Sequence, residues 1–386
     1  MTAFKRLDAH GGKAAAPLIA LALPCVGYGG AEAVNLALGR EFINCGFKVD
    51  FVTMGEVAET EALIPDEARH VCLAVPKMRG VLIPMIRYFR TARPDAMIAS
   101  IWPFTTICVA AHQLSGSQTR VIVWEHNTLS IQYANRGLVH DVLLKGSIAY
   151  ETSRAHASVS VSNGVADDLA ALSGLSRSKF SVIHNPMLSR EFLKSDDAAA
   201  EAIWGGWRGP RLITVGRFKK QKNHPLLIRA FKELLTIRDA RLLVLGDGDL
   251  LDAIRRLAAH EAISDKVLIP GPTLNPSPYY RSADLFVLSS DHEGLPTVLL
   301  EALAFGLPIV STDCRSGPAE ILENGRYGRL VPVGDAAALT QAMLESLDAT
   351  HDRDALMRRA QDFSPDRIAD QYLRLLFPHA SADTSV

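Results

Sequence analysis

The chain of 386 residues contains only five cysteines, and no two of them stand in a CxxC or other metal-ligand spacing. Cys25, Cys45, Cys72, Cys108 and Cys314 are scattered and odd in number. That argues against a disulfide framework or a zinc module and fits buried thiols in a reducing compartment. An excess of one charge sign is also missing. Forty-one Lys and Arg oppose 42 Asp and Glu, for a formal net charge of −1. This excludes the global basic field with which nucleic-acid binders attract their partners, so no nucleic acid is expected. No stretch reaches the roughly 18 apolar residues of a membrane span, and no Walker A sequence occurs.

What is present is ordinary globular composition, 48% hydrophobic and 22% charged, on a chain long enough for two domains. Lys5, Arg6 and Lys13 precede "AAAPLIALALPC", which has the outline of a secretory h-region. The preferred reading is a buried first strand, "PLIALALP", because cleavage near Cys25 would remove the strand on which the next helix packs.

Short apolar runs alternate with amphipathic stretches. "LIALALP" leads to "GGAEAVNLALGREFINCG", a helix closed near Gly46; "KVDFVTM" follows, and a helical stretch of about 15 residues ends at Arg93. "AMIASIW", "TRVIVWEH" and "ASVSVS" read as further strands. Alternation of this kind predicts parallel doubly wound sheets. It breaks in "MLSREFLKSDDAAAEAIWGGWRGP" and restarts with "RLITVG", "RLLVLGDG", "KVLIPG", "ADLFVLSS", "LPIVST" and "GRLVPV". The expected organisation is an N-terminal domain over 1–195, a linker over 196–209, a second domain over 210–362, and a tail over 363–386. The tail helix opens with Ser364 as N-cap and Pro365 at its first position, and is expected to cross back to the N-terminal domain. Ligands of such sheets bind beyond the C-terminal strand ends, and two of them facing each other would enclose a cleft.

Candidate chemistry therefore follows strands. Gly27, Gly29 and Gly30 open a helix after the first strand, where backbone N–H groups and the helix dipole favour anions. The dinucleotide fingerprint is incomplete, since Glu32 stands where its third glycine would be. Arg217, Lys219, Lys220 and Lys222 crowd the loop "VGRFKKQKNH"; Lys219 and Lys220 read as solvated, whereas Arg217 at the strand end can bind phosphate bidentately and a lysine can add charge. "EGLPTVLLE" begins on Glu293 and ends on Glu301. Eight residues apart on one helix, the two acids would be rotated by about 80° from each other. With Glu293 in the loop before the helix, the two could read separate polar groups of one ligand across the helix mouth. A capping acid with an exposed helical Glu fits the spacing equally well.

"VGRF", "KQKNHPLLIRAF", "ADLFVLSSDHEGLPTVLLEALAFGLPIVSTD" and "GGAE" together resemble the retaining GT-B glycosyltransferases of family 4, most specifically across 211–331. "TDCRSGPAEIL" resembles members that build bacterial surface polysaccharides and lipid-linked glycans. The resemblance implies an α/β, GT-B architecture of two Rossmann-like doubly wound domains facing across a cleft. It implies a sugar moved from a nucleoside-diphosphate donor, a UDP-sugar by preference, to a glycan or lipid-linked saccharide hydroxyl. It implies Glu301 on the ribose, Glu293 beside the transferred sugar, and Arg217 and Lys222 with Gly30 on the diphosphate. Gly294, Leu295, Pro296 and Thr297 would form the sugar and phosphate loop, and Gly29 with Gly30 the N-terminal closing loop. His126, after the strand "VIVWE", matches a family histidine near the anomeric carbon; Glu125 beside it would orient the imidazole or form a salt bridge. Asn163 in "SNG" reads as a helix cap. No metal or other cofactor is expected: Asp247-x-Asp249 resembles a metal-binding DxD but reads as a glycine turn with Asp249 as N-cap. A glycosidase carboxylate pair is disfavoured by the adjacent cations.

Residues 77–93 carry five basic residues and no acid beside a broad apolar face. They would either lie on an anionic leaflet or pack on the sheet. The expected location is the cytoplasm, including the inner membrane face. A nucleotide-sugar epimerase and a non-catalytic binding scaffold are the alternatives.

Overall fold

The computed structural model describes residues 16–27, 29–55, 62–187, 202–273 and 275–378. The chain divides into two compact units, one of residues 1–186 with 364–386 and one of residues 187–363. The division falls ahead of the linker expected at 196–209, of which 196–201 lie outside the described residues. Trp204, in its remaining part, is buried in the second unit, with Nε1 donating to Ser282 Oγ (2.8 Å) and its carbonyl accepting from Arg241. The two chain crossings lie side by side, where Met187 N donates to Phe363 O (2.8 Å).

The first unit runs β1 (Leu18–Ala22), α1 (Gly30–Asn44), β2 (Lys48–Thr53), β3 (Arg69–Cys72), α2 (Leu82–Ala92), β4 (Ala96–Ser100), α3 (Phe104–Ser115), β5 (Arg120–Glu125), α4 (Leu129–Gln132), α5 (Leu138–Arg154), β6 (Ala157–Ser160), α6 (Asn163–Ser173) and β7 (Phe180–Val182). Its sheet has the order β3-β2-β1-β4-β5-β6-β7, with every pair parallel. β1 and β4 are continuous small and aliphatic runs because both their faces are covered. The short edge strands β3 and β7 escaped the sequence reading: four and three residues carry too little periodicity to register.

The second unit runs β8 (Arg211–Val215), α7 (His224–Leu235), β9 (Arg241–Leu245), α8 (Leu251–His260), β10 (Val267–Gly271), α9 (Ser277–Ser282), β11 (Leu285–Leu288), α10 (Thr297–Ala304), β12 (Ile309–Thr312), α11 (Pro318–Ile321), β13 (Arg329–Val331), α12 (Ala336–Asp348) and α13 (Arg353–Gln361). Its parallel sheet is ordered β10-β9-β8-β11-β12-β13. The core packs Phe218, Leu227 and Phe231 against Leu242 and Val244. The tail helix α14 (Pro365–Leu376) belongs to the first unit, where Tyr372 meets Trp124 edge-on at 5.2 Å and Phe377 stacks on Phe47 at 5.4 Å.

Three local readings are corrected. Ser162, not Asn163, caps α6, accepting from Val165 N (3.2 Å). Its extended backbone places the hydroxyl over the first turn, while Asn163 is already helical. Leu250, not Asp249, precedes α8, and among the described residues no side chain caps that helix. Residues 77–93 form not one helix but a 3₁₀ turn at Met78–Gly80 and then α2, whose Met85, Tyr88 and Phe89 are buried. Of the five cysteines, only Cys108 and Cys314 are buried; Cys25, Cys45 and Cys72 are partly exposed.

Candidate active site

In a doubly wound sheet the connections leave in opposite directions on either side of one strand pair, and the loops there part to form a crevice. The pairs are β1/β4 in the first sheet and β8/β11 in the second. Most of the candidate residues fall on loops at or beside these points.

In the second unit, β8 leads into Gly216, Arg217 and a 3₁₀ turn at Lys220–Lys222, and β11 leads into Ser289–Pro296. Lys222 Nζ bonds Glu293 Oε1 at 2.6 Å and so ties the two loops together. Ser290 Oγ donates to the same oxygen (2.6 Å), and Gln221 Nε2 to Oε2 (3.3 Å) and to His292 O (2.8 Å). Asn223, at φ 42°, places its amide on Asp291 Oδ1 (2.6 Å) while its own oxygen caps α7 by accepting from Leu226 N (3.2 Å). A buried carboxylate with several donors is held in one orientation, which a lone capping acid would not be. Glu293 therefore lies in the loop and is buried, four residues before α10, as the two-ligand-group alternative required.

The loop through Gly294, Leu295 and Pro296 is stitched to 313–317. Glu293 N donates to Arg315 O (3.0 Å), Ser316 N to Glu293 O (3.0 Å), and Ser316 Oγ to Gly294 O (3.1 Å). Gly317, at φ 98°, must be glycine: a Cβ would stand 2.7 Å from Pro296 Cδ and 2.8 Å from Gly294 O. Pro296 is the N-cap of α10 and Thr297 its first residue. Among the described residues no side chain caps this terminus, so its first N–H groups and the positive end of the dipole are offered to an anion.

Glu301 is buried on α10. Tyr280 Oη donates to its Oε2 at 2.7 Å, and among the described residues Oε1 has no partner. Burial pushes the carboxyl up to about 7, against the hydrogen bond from Tyr280 and the charge of Lys222, which pull it down. Arg217 is exposed, and among the described residues its guanidinium has no ion-pair or hydrogen-bond partner. The second unit thus presents one cation already paired, one exposed, and two buried acids beside an uncapped helix start. Asp247 turns its carboxylate onto Gly248 N (2.7 Å), as in a glycine turn. Among the described residues no three His, Cys, Asp or Glu side chains group as a metal cage.

In the first unit Gly29 is the N-cap of α1 and Gly30 its first residue. A methyl at Gly29 would overlap the Glu32 carboxylate, so the first turn carries its own acid at this point. His126 follows β5, buried, with its ring 4.2 Å from that of Trp124. Among the described residues neither ring nitrogen has a partner, and burial lowers its pKa to about 3, leaving the imidazole neutral. Glu125 does not orient that ring. Its carboxylate accepts main-chain N–H groups from His126 (2.9 Å), Asn127 (3.2 Å) and Trp102 (3.1 Å), so it fixes the loop instead. Burial raises Glu125 to about 7, opposed by those three bonds.

The structure joins Lys222 to Glu293 and places Gly294–Thr297 and Glu301 on the same loop and helix; Arg217 stands on the loop of Lys222. Ser290, Gln221, Tyr280 and Gly317 were not found from sequence. Gln221, Ser290 and Gly317 lie inside the quoted stretches "KQKNH", "LSSDHEG" and "SGPAE" without any mark of a role, and Tyr280 sits outside them on a short helix with no distinctive spacing.

The family model described as glycosyl transferases group 1 matches residues 209–349, and that described as Glycosyltransferase Family 4 matches residues 28–187. The chain is 30% identical over 268 residues to the N-acetylgalactosamine-N,N'-diacetylbacillosaminyl-diphospho-undecaprenol 4-alpha-N-acetylgalactosaminyltransferase of Campylobacter jejuni, covering 68% of this chain and 71% of that one. It is 24% identical to the N-acetyl-alpha-D-glucosaminyl L-malate synthase of Bacillus anthracis, over 89% and 92% of the two chains. Among solved structures, HepE of Anabaena in complex with UDP-glucose superposes with a TM-score of 0.79 at 16% identity, covering 93% of this chain and 99% of that one. Two doubly wound sheets, the loops at their switch points and these matches lead to one conclusion: the chain belongs to the group 1 glycosyltransferases of family 4 and has the GT-B fold.

Proposed function

We propose that the protein moves a sugar, with retention of anomeric configuration, from a UDP-sugar to a hydroxyl of a lipid-linked or polysaccharide acceptor. The observation that carries this reading is the Lys222–Glu293 pair closing the β8/β11 switch point next to the uncapped start of α10. A diphosphate brought to that helix start would meet the Glu293 carboxylate nearby. Two cations, Lys222 and Arg217, are available to offset the repulsion and the charge that builds on the leaving nucleoside diphosphate.

Each residue then has a role. Glu301 accepts from the ribose hydroxyls through the oxygen that Tyr280 leaves unused. Glu293 lies beside the transferred sugar, and the loop Gly294–Pro296 lines the sugar while the first turn of α10 from Thr297 turns its main-chain N–H groups to the phosphates. Gly29 and Gly30 close over the donor, with Gly30 on the diphosphate. His126, neutral and unpartnered, serves the sugar; two unsatisfied ring nitrogens cost about 1–3 kcal/mol each, which a ligand hydroxyl or phosphate oxygen would recover. The name of the Campylobacter relative includes a diphospho-undecaprenol acceptor, and the bound ligand of the Anabaena structure is UDP-glucose. Both support the proposed substrate classes. The charge offset needs no metal, because it is supplied by side chains.

The test is release of free UDP from a panel of UDP-sugars, with and without lipid-linked saccharide, in excess EDTA. The expected result is release that depends on acceptor and persists in chelator, with a product whose anomeric configuration, read by NMR, matches the donor. Turnover of the nucleotide sugar without acceptor would favour the epimerase. Rescue by Mn²⁺ after EDTA would return Asp247 and Asp249 to consideration.

A further inference from the structure

The outer face of α5 is at odds with a fully solvated surface. Its inner stripe, Leu144, Ile148, Glu151 and Thr152, is buried against the unit. The first two turns carry a second apolar stripe pointing outward: Leu138, Val139, Val142 and Leu143 are 79%, 75%, 61% and 65% exposed. Spacings of one, four and five place these four on a single side of the helix. A lone exposed aliphatic residue needs no explanation, but four contiguous ones form a patch. Beyond Leu143 that side turns to Lys145 and Gly146, so the patch ends where the helix moves away from the strand ends.

Its surroundings set its partner. Arg136 and Lys145 flank the patch, both exposed, and between Leu129 and Tyr150 the one acid is Asp141. α2 packs on α3 and α3 on α5, and in a parallel sheet such crossover helices start from the same edge. The start of α2 therefore adds exposed Lys77 and Arg79 and an outward Ile83, 72% exposed, at that edge. The remaining apolar side of α2 is packed, so residues 77–93 contribute their beginning rather than their whole length. The patch is also rooted near the candidate site. His140 and Tyr133 pack on Trp102 at 5.8 and 4.8 Å, and Trp102 N donates to Glu125, the neighbour of His126. No helix among the described residues is long and apolar enough to cross a membrane.

We infer that the first two turns of α5, with the start of α2, dock the protein on the surface of an anionic lipid bilayer. Aliphatic side chains enter the interfacial region while Arg136, Lys145, Lys77 and Arg79 meet anionic headgroups. A bilayer partner agrees with the lipid-linked acceptor proposed above, but the inference is read by binding alone, so its failure and the failure of the transferase reading are distinguishable.

The test is sedimentation of the full chain with phosphatidylcholine vesicles, with and without phosphatidylglycerol. Wild type is expected to sediment with the anionic vesicles. Val142→Ser with Leu143→Ser should lower the partition roughly 30-fold, the scale of removing two half-inserted aliphatic side chains. Arg136→Glu with Lys145→Glu should lower it about tenfold at low salt, with the difference shrinking at high salt. Ile237→Ser, at a site 69% exposed in the second unit, should change nothing. An unshifted Tm would exclude misfolding as the cause. Three results would overturn the inference: no sedimentation of wild type, equal sedimentation of the Val142/Leu143 variant, or a dimer by light scattering that the same variant dissociates. The last would assign the patch to a second copy of the chain.

Discussion

The two units share a topology but not a style of polar chemistry. In the second, both candidate acids are held before any ligand arrives, Lys222, Ser290 and Gln221 converging on Glu293 and Tyr280 on Glu301, while Arg217 stands exposed. In the first, the buried polar atoms near β5 are left over. Neither nitrogen of His126, nor Trp124 Nε1, nor Tyr372 Oη has a partner among the described residues. Preorganised donors and acceptors suit recognition of a constant ligand, because no reorganisation is required when it binds. Unpartnered buried groups raise the energy of the free protein and gain most when a substrate or transition state supplies partners. On the proposed function, the second unit would serve affinity and the first turnover.

The largest expected effect tests the turnover side. His126→Ala should lower transfer on the order of 100-fold or more, the scale of losing an acid-base or electrostatic group, while nucleoside-diphosphate affinity stays within a few-fold. A transfer assay and calorimetry on the same variant separate the two quantities. If affinity falls as far as turnover, or turnover is normal, the contrast between the units fails.

The affinity side predicts the converse. Arg217→Ala or Glu301→Ala should each weaken binding of the free nucleoside diphosphate by roughly 10- to 100-fold, since losing a charged hydrogen bond costs about 1.5–3 kcal/mol. Calorimetry reads this directly. Intact affinity in Arg217→Ala would move the diphosphate away from the loop after β8.

How much of this could be read from sequence follows the same divide. The alternation of apolar runs and amphipathic helices carried the two-sheet architecture, and only the short edges β3 and β7 were lost. In the second unit the candidate residues were legible as types, because Arg, Lys and Glu at strand ends are unusual. Their wiring was not. That Lys222 pairs with Glu293 is a contact between positions 71 apart, and nothing local encodes it. In the first unit Glu125 was misread for a related reason. A carboxylate beside a histidine suggests a side-chain pair, whereas the turn after β5 points three main-chain N–H groups at it. The α5 patch was also invisible, because an apolar stretch in a sequence looks the same whether it faces a core or a bilayer.

The smallest expected effect is a pH dependence that belongs to the second unit. Glu301 is raised to about 7, burial being the main cause. A carboxyl with a raised pKa is ionised above that value and gains its proton as pH falls through it. Only the ionised form offers both oxygens as acceptors, with Tyr280 on one and ribose hydroxyls free to use the other. Nucleotide affinity should therefore be full at pH 8 and fall toward pH 6. The ionised fraction changes roughly tenfold over that interval, which bounds the effect. The nucleoside diphosphate's own terminal phosphate also titrates near pH 6, so the informative quantity is the difference between two proteins. Glu301→Gln cannot ionise: its binding should be weaker at pH 8 and should keep only the ligand's own pH slope. His126→Asn in the first unit, where burial keeps the imidazole neutral down to about pH 3, should retain the wild-type slope over the same interval. Calorimetry at three pH values on the three proteins decides the matter. Equal slopes in wild type and Glu301→Gln would mean that the buried acid of α10 does not hold the nucleotide, and that recognition in the second unit rests on its cations alone.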